Sequence, residues 1–119
     1  MANISQSLET FLGIDGAMAA AIVDANSGMV LGKAGTGVDL EVAGAGNTEV
    51  VRAKMKTMKA LGLKDNIEDI LITLGKQYHI IRPMTDKPGV FAYLVLDKGK
   101  ANLALARLKT AEVESQMQL

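Results

Sequence analysis

A chain of 119 residues, 49% hydrophobic and 22% charged, suits one globular domain with one core. Its formal net charge of zero argues against general binding to nucleic acid or an anionic membrane, and the absence of cysteine excludes disulfides and thiolate metal sites. No apolar run reaches the roughly 18 residues of a membrane-spanning helix, and residues 1–9 lack the basic and apolar segments of a secretory signal, so a cytoplasmic setting without membrane insertion is expected.

The chain opens with an amphipathic helix. Ile4, Leu8, Phe11 and Leu12 share one stripe at helical spacing, and Asn3 with Gln6 has the spacing of a capping box. Two strands are expected next, over 17–25 and 29–33, around the turn Asn26-Ser27-Gly28. Ala17, Ala19, Ala20 and Ala21 are weak strand formers, so Ile22, Val23 and the turn carry that assignment. Ala34-Gly35-Thr36-Gly37 reads as a flexible connection.

A long helix is expected over 39–61, with Gly62 near its end. Gly44 and Gly46 inside it each cost roughly 1 kcal/mol relative to alanine, which predicts fraying, a bend or a close backbone approach. In the second half, Val51, Met55 and Met58 form one apolar face at about 100° per residue, and Val50 and Leu61 form another. Arg52, Lys56 and Lys59 form a basic stripe, either a solvated face or a contact for an acidic protein surface. Two apolar faces exceed what packing on a sheet requires, which leaves one for a partner helix.

Three β-type runs follow, across 67–84 and 89–97. Leu74-Gly75-Lys76-Gln77 suits a type II′ hairpin with Gly75 at the first central position. Pro88 and Gly89 punctuate the next connection. A final helix starts near Asp97 or Gly99 and presents Ala101, Ala104, Leu105, Leu108 and Ala111 on one face. The strands are apolar at both parities: Ile70 and Ile72 against Ile67 and Leu71, Val90 and Leu94 against Phe91 and Val95. Such a sheet needs cover on both sides. Hairpin-length loops make it antiparallel. The order α-β-β-α-β-β-β-α thus predicts an α/β (α+β) fold, a three-layer α/β/α sandwich.

The sequence offers no catalytic constellation. His79 is the one histidine and has no partner at ligand spacing, so a packed or edge role is expected. The run from Gly28 to Ala34 is one residue short of a phosphate-binding loop and lacks Ser or Thr after Lys33. Gly44-Ala45-Gly46 lacks a third glycine. Glu68 and Asp69 are adjacent and, in a strand, would point to opposite faces. Asp24 and Asp97 end strands, where turns use aspartate. No cofactor and no metal are expected.

Three segments resemble the Roadblock/dynein light-chain family, in its prokaryotic form. They are Gly16-Ala-Met-Ala-Ala-Ala-Ile-Val-Asp24 with Ser27-Gly28, then residues 69–82, then residues 100–108. The likeness runs over roughly 8–114 and makes 1–119 a single domain. It implies a five-stranded antiparallel sheet in the order 2-1-5-4-3, with the middle helix on one face and the terminal helices on the other. It also implies a homodimer in which third strands pair edge to edge and middle helices pack together. Here that would use Val50, Val51, Met55, Met58 and Leu61 on the helix. On the strand it would use Ile67, Asp69, Ile70, Leu71, Ile72 and Thr73. The function implied is a non-catalytic adaptor for a Ras-like small GTPase, or a structural light chain. Arg52, Lys56 and Lys59 would then contact the GTPase. A small-molecule sensor, with methionines and alanines lining a pocket, is the other expectation.

Overall fold

Strand alternation divides one sheet between two cores. The computed structural model describes residues 2–119. Its elements are α1 (Ile4–Leu12), β1 (Ala17–Asp24), β2 (Val30–Gly35), α2 (Leu40–Ala60), β3 (Ile70–Thr73), β4 (Gln77–Pro83), β5 (Val90–Asp97) and α3 (Leu103–Gln116). The strands make a single antiparallel sheet in the order β2-β1-β5-β4-β3, as the family resemblance implied. Ala20, Ile22, Ile80, Leu94 and Leu96 face α1 and α3, where Leu8, Phe11, Ala106 and Val113 cover them. Ala19, Ala21, Val23, Ile81, Phe91, Tyr93 and Val95 face α2, which contributes Leu40 and Val51. The three-layer sandwich is therefore built as the two-parity pattern required.

Local chemistry explains the elements. The capping box on α1 is formed, with Gln6 N–H donating to Asn3 Oδ1 at 2.8 Å and Asn3 N–H to Gln6 Oε1 at 3.0 Å. The alanines of β1 suit a central strand under helices on both faces: Ala19, Ala20 and Ala21 are fully buried. Burial context outweighs their poor strand propensity. Gly32, part of the near-miss phosphate loop, is the seat of α1, since an added Cβ would lie 2.5 Å from Ile4 Cγ2.

The two glycines of α2 differ. A Cβ on Gly44 would stand 2.8 Å from Val30 Cγ2, so Gly44 is where the helix approaches β2 closely. Gly46 has open space around it. Gly46→Ala should therefore raise stability by roughly 1 kcal/mol, the helix-propensity difference. Gly44→Ala should gain nothing or lose stability, because Val30 must move. Urea denaturation of both variants measures this, and equal gains would refute the close approach.

Several boundaries and faces differ from the sequence expectation. β2 continues through Ala34 and Gly35, which pair with Ala20 and Ala19, so that segment is ladder and not a flexible connection. β3 is only Ile70–Thr73. Ile67 and Asp69 precede it, in the segment that carries the chain from α2 to the sheet edge. Gly75 lacks the positive φ that a type II′ turn demands at its first central position, so the β3–β4 turn is of another kind. α3 starts one turn later than expected, capped by Asn102 Oδ1 accepting from Leu105 N–H at 3.0 Å. Asp97 instead closes the preceding turn through Gly99 N–H. The face of α3 is also reversed: Ala106, Thr110, Val113 and Glu114 are buried, whereas Leu105 is exposed and Leu108 is 58% exposed.

Candidate functional site

The first half of α2 is held to the sheet by Leu40, Gly44, Thr48 and Val51. Beyond Val51 every residue of the helix except Met58 is exposed. The helix then ends in a Schellman motif. Gly62 takes φ +71°, its N–H donates to Lys59 O at 3.1 Å, and Leu63 N–H donates to Met58 O at 2.9 Å. That closure places Leu63 beside Met58, and both line the same clefts with Ile67.

Two segments predicted separately are thereby brought together. Val50, Met58, Ile67, Asp69 and Ile70 border one groove of about 620 Å³ between the second half of α2 and the approach to β3. Leu63, which lines it, is 52% exposed, and Leu61 at the end of α2 is 66% exposed. Sequence reasoning missed Leu63 and Lys54 as groove residues. The signal for Leu63 was present: a glycine just past a helix, followed by an apolar residue that can touch the last turn.

The other predicted residues sort by position. Val51 is only 1% exposed, spent inside the protomer's own core, and so cannot meet a partner. Ile70 and Ile72 pack partly against the α2-side core, while Leu71 points to the opposite face and is exposed. Thr73 ends the strand opposite Tyr78. β3 lies at the sheet edge, paired on one side only, which leaves backbone groups available for a further strand. Asp69 is already committed within the chain: Arg107 grips both its oxygens, at 2.7 and 3.0 Å. That bidentate contact is the first cause holding the Arg107 pKa above its ordinary value.

Arg52, Lys56 and Lys59 are all exposed on α2. None of them forms an ion pair among the described residues, where the pairs are Lys33–Glu41, Arg82–Glu114 and Arg107–Asp69. The basic stripe is thus uncompensated, although Arg52 diverges from the two lysines by lining a separate cavity toward the β4–β5 loop.

His79 lies on the α2 side of the sheet, between Gln77 Oε1 at 2.8 Å from Nε2 and the Tyr93 hydroxyl at 3.0 Å from Nδ1. Both contacts are satisfied by a neutral ring, with Nε2–H donating and Nδ1 accepting. Burial lowers the His79 pKa below the usual 6.5 and raises that of Tyr93 above 10.0. At His79 the unfolded chain therefore takes up a proton more readily than the folded one. The His79 contribution to stability should be level around neutral pH and should fall as pH drops below 6.5 toward the depressed native value. His79 is the only histidine, so urea midpoints at about pH 7.5 and 5.5 test it directly. His79→Gln should flatten the slope; an unchanged slope would assign the titration elsewhere.

Fold and surface together define an α/β/α domain with an exposed apolar edge beside a basic helix stripe. Solved structures place that architecture. A Roadblock/LC7 domain from Streptomyces avermitilis superposes with a TM-score of 0.82 at 10% identity, over 96% of this chain and 93% of that one. Gliding protein MglB from Thermus thermophilus gives 0.80 at 18% identity, over 92% and 82%. An MglB solved in a tetrameric arrangement gives 0.80 at 18% identity, over 92% and 81%. No protein-family model matches the chain, and no curated protein matches it. The chain has the Roadblock fold. Among the described residues, no helix is long and apolar enough to cross a membrane.

Proposed function

We propose that this chain is a non-catalytic cytoplasmic adaptor that works as a homodimer and docks a Ras-like small GTPase. The observation carrying this reading is the groove that Met58, Leu63 and Ile67 line together, with Leu61 exposed at the end of α2, beside a strand edge paired on one side. A monomer gains nothing by presenting large apolar side chains in a cluster, and such patches mark association sites. The likeness to an MglB found in a tetrameric arrangement supports self-association as a property compatible with this fold. Lys56 and Lys59, exposed and unpaired by any acid among the described residues, supply a docking rim for an acidic protein surface.

The test is affinity capture from source-cell extract with the tagged full chain, with and without a non-hydrolysable GTP analogue. Nucleotide-dependent enrichment of a Ras-like GTPase, lost in a Lys56→Glu/Lys59→Glu variant, is the expected result. Enrichment of other proteins with no GTPase would replace the switch-reading role with that of a structural light chain.

A further inference from the structure

One end of the sheet holds a cavity that borders the proposed association surface at Ile67. Residues of α2, the β1–β2 turn, the segment before β3 and the β4–β5 loop enclose about 400 Å³. Core residues Val51, Met84 and Phe91 lie beneath it, and Met55, Ile67, Pro88 and Val90 give it the apolar walls that reach the surface. The volume falls in the range of small-molecule sites, about 300–1,000 Å³.

Its charge is what selects a ligand. Arg52 is the only charged residue in the lining, and no aspartate or glutamate joins it. Four other clefts on the molecule mix both signs, as Lys109 and Glu112 do between α1 and α3, or Lys98 and Asp97 near the β3–β4 turn. Arg52 also has no ion-pair partner among the described residues. A lone guanidinium at an apolar cavity matches an amphipathic anion, and its planar fork fits a carboxylate through both oxygens.

The walls are built, not incidental. Ala25 N–H donates to Gly89 O at 2.7 Å, tying the β1–β2 turn to the β4–β5 loop. On the opposite side of the loop, Glu114 of α3 accepts from Thr85 N–H, and its main-chain oxygen accepts from Lys87 Nζ, both at 3.3 Å. A loop anchored at both flanks loses little freedom when a ligand enters.

We propose that this cavity is a binding site for a small carboxylate with an apolar body, such as a medium-chain fatty acid. The carboxylate sits on Arg52 and the hydrocarbon lies among Met55, Ile67, Pro88 and Val90. The site shares Arg52, Met55 and Ile67 with residues of the adaptor reading, so the test carries variants that separate the two.

Titration calorimetry of the full chain with decanoate, decanol and decylammonium tests it, paired with backbone amide NMR. Decanoate should bind one to one with a Kd below about 1 mM. It should shift amides near Val51, Ile67 and Phe91. Decylammonium should bind at least about tenfold more weakly, and Arg52→Gln should weaken decanoate by a similar factor. Lys56→Gln, one turn away and outside the cavity, should leave the affinity within about twofold. Leu61→Glu should also leave it unchanged, which separates this site from self-association. No saturable decanoate binding, equal affinity for the ammonium, or full affinity in Arg52→Gln would each overturn the proposal.

Discussion

Glu114→Ala should lower the unfolding free energy by about 3 kcal/mol, the low end of the range for breaking a buried ion pair. Its carboxylate pairs with Arg82 Nε, and the two side chains are 7% and 19% exposed. One Glu114 oxygen also accepts from Thr85 N–H. Removing the carboxylate strands a largely desolvated guanidinium and an amide together. The remaining exposure of Arg82 lets water relieve part of that loss, hence the lower figure. Arg82→Met combined with Glu114→Leu should recover most of the stability, because replacing both partners leaves no unpaired charge. Urea denaturation of Arg82→Met, Glu114→Leu and the double completes a mutant cycle. A loss under about 1 kcal/mol for Glu114→Ala would mean that the pair is solvated like a surface bridge.

The second large effect concerns association. Leu61 and Leu63 are more than half exposed in the protomer, so Leu61→Glu and Leu63→Glu should cost the fold little. If the proposed dimer buries the half or more of each side chain still exposed, each lost leucine removes about 1–2 kcal/mol of apolar burial. A two-fold interface counts every substitution twice. The dimer dissociation constant should then rise by at least about tenfold, at roughly 1.4 kcal/mol per decade. Sedimentation velocity across a concentration series reads this, with far-UV circular dichroism confirming the fold. A dimer of undiminished affinity in both variants would move self-association to another surface, and Leu105 and Leu108 on α3 would be the next to change.

Much of the fold was legible because the strands state their environment twice, once per face. β5 is the clearest case: Val90, Ala92, Leu94 and Leu96 serve one core, Phe91, Tyr93 and Val95 the other. α3 was not legible in the same way. Leucine and alanine lie all around it, so helical periodicity carries no phase. The buried side includes Thr110 and Glu114, which look like surface residues until their partners are known. Thr110 Oγ1 donates to Ala106 O at 2.7 Å, and Glu114 has Arg82. Ile67 misled for a different reason. It is apolar because it lines the groove under α2, and a strand pattern read locally cannot distinguish that from a ladder position. At the surface, Val50 and Met58 could be placed from helix geometry. The separation of Arg52 from Lys56 and Lys59 could not, because it depends on where the β4–β5 loop arrives in space.

The alanine run in β1 has a consequence for how the molecule could be tuned. Ala19 and Ala21 point to the α2 layer and Ala20 to the layer of α1 and α3, all without accessible surface. Extra methyl groups at such sites cost about 1–3 kcal/mol through overpacking. The same Ala→Val change therefore strains opposite layers at neighbouring positions. Residue 21 loosens the side that carries the apolar edge, and residue 20 loosens the side that does not. The plainest stretch of the sequence is thus a pair of separate adjusting screws, one for each half of the sandwich.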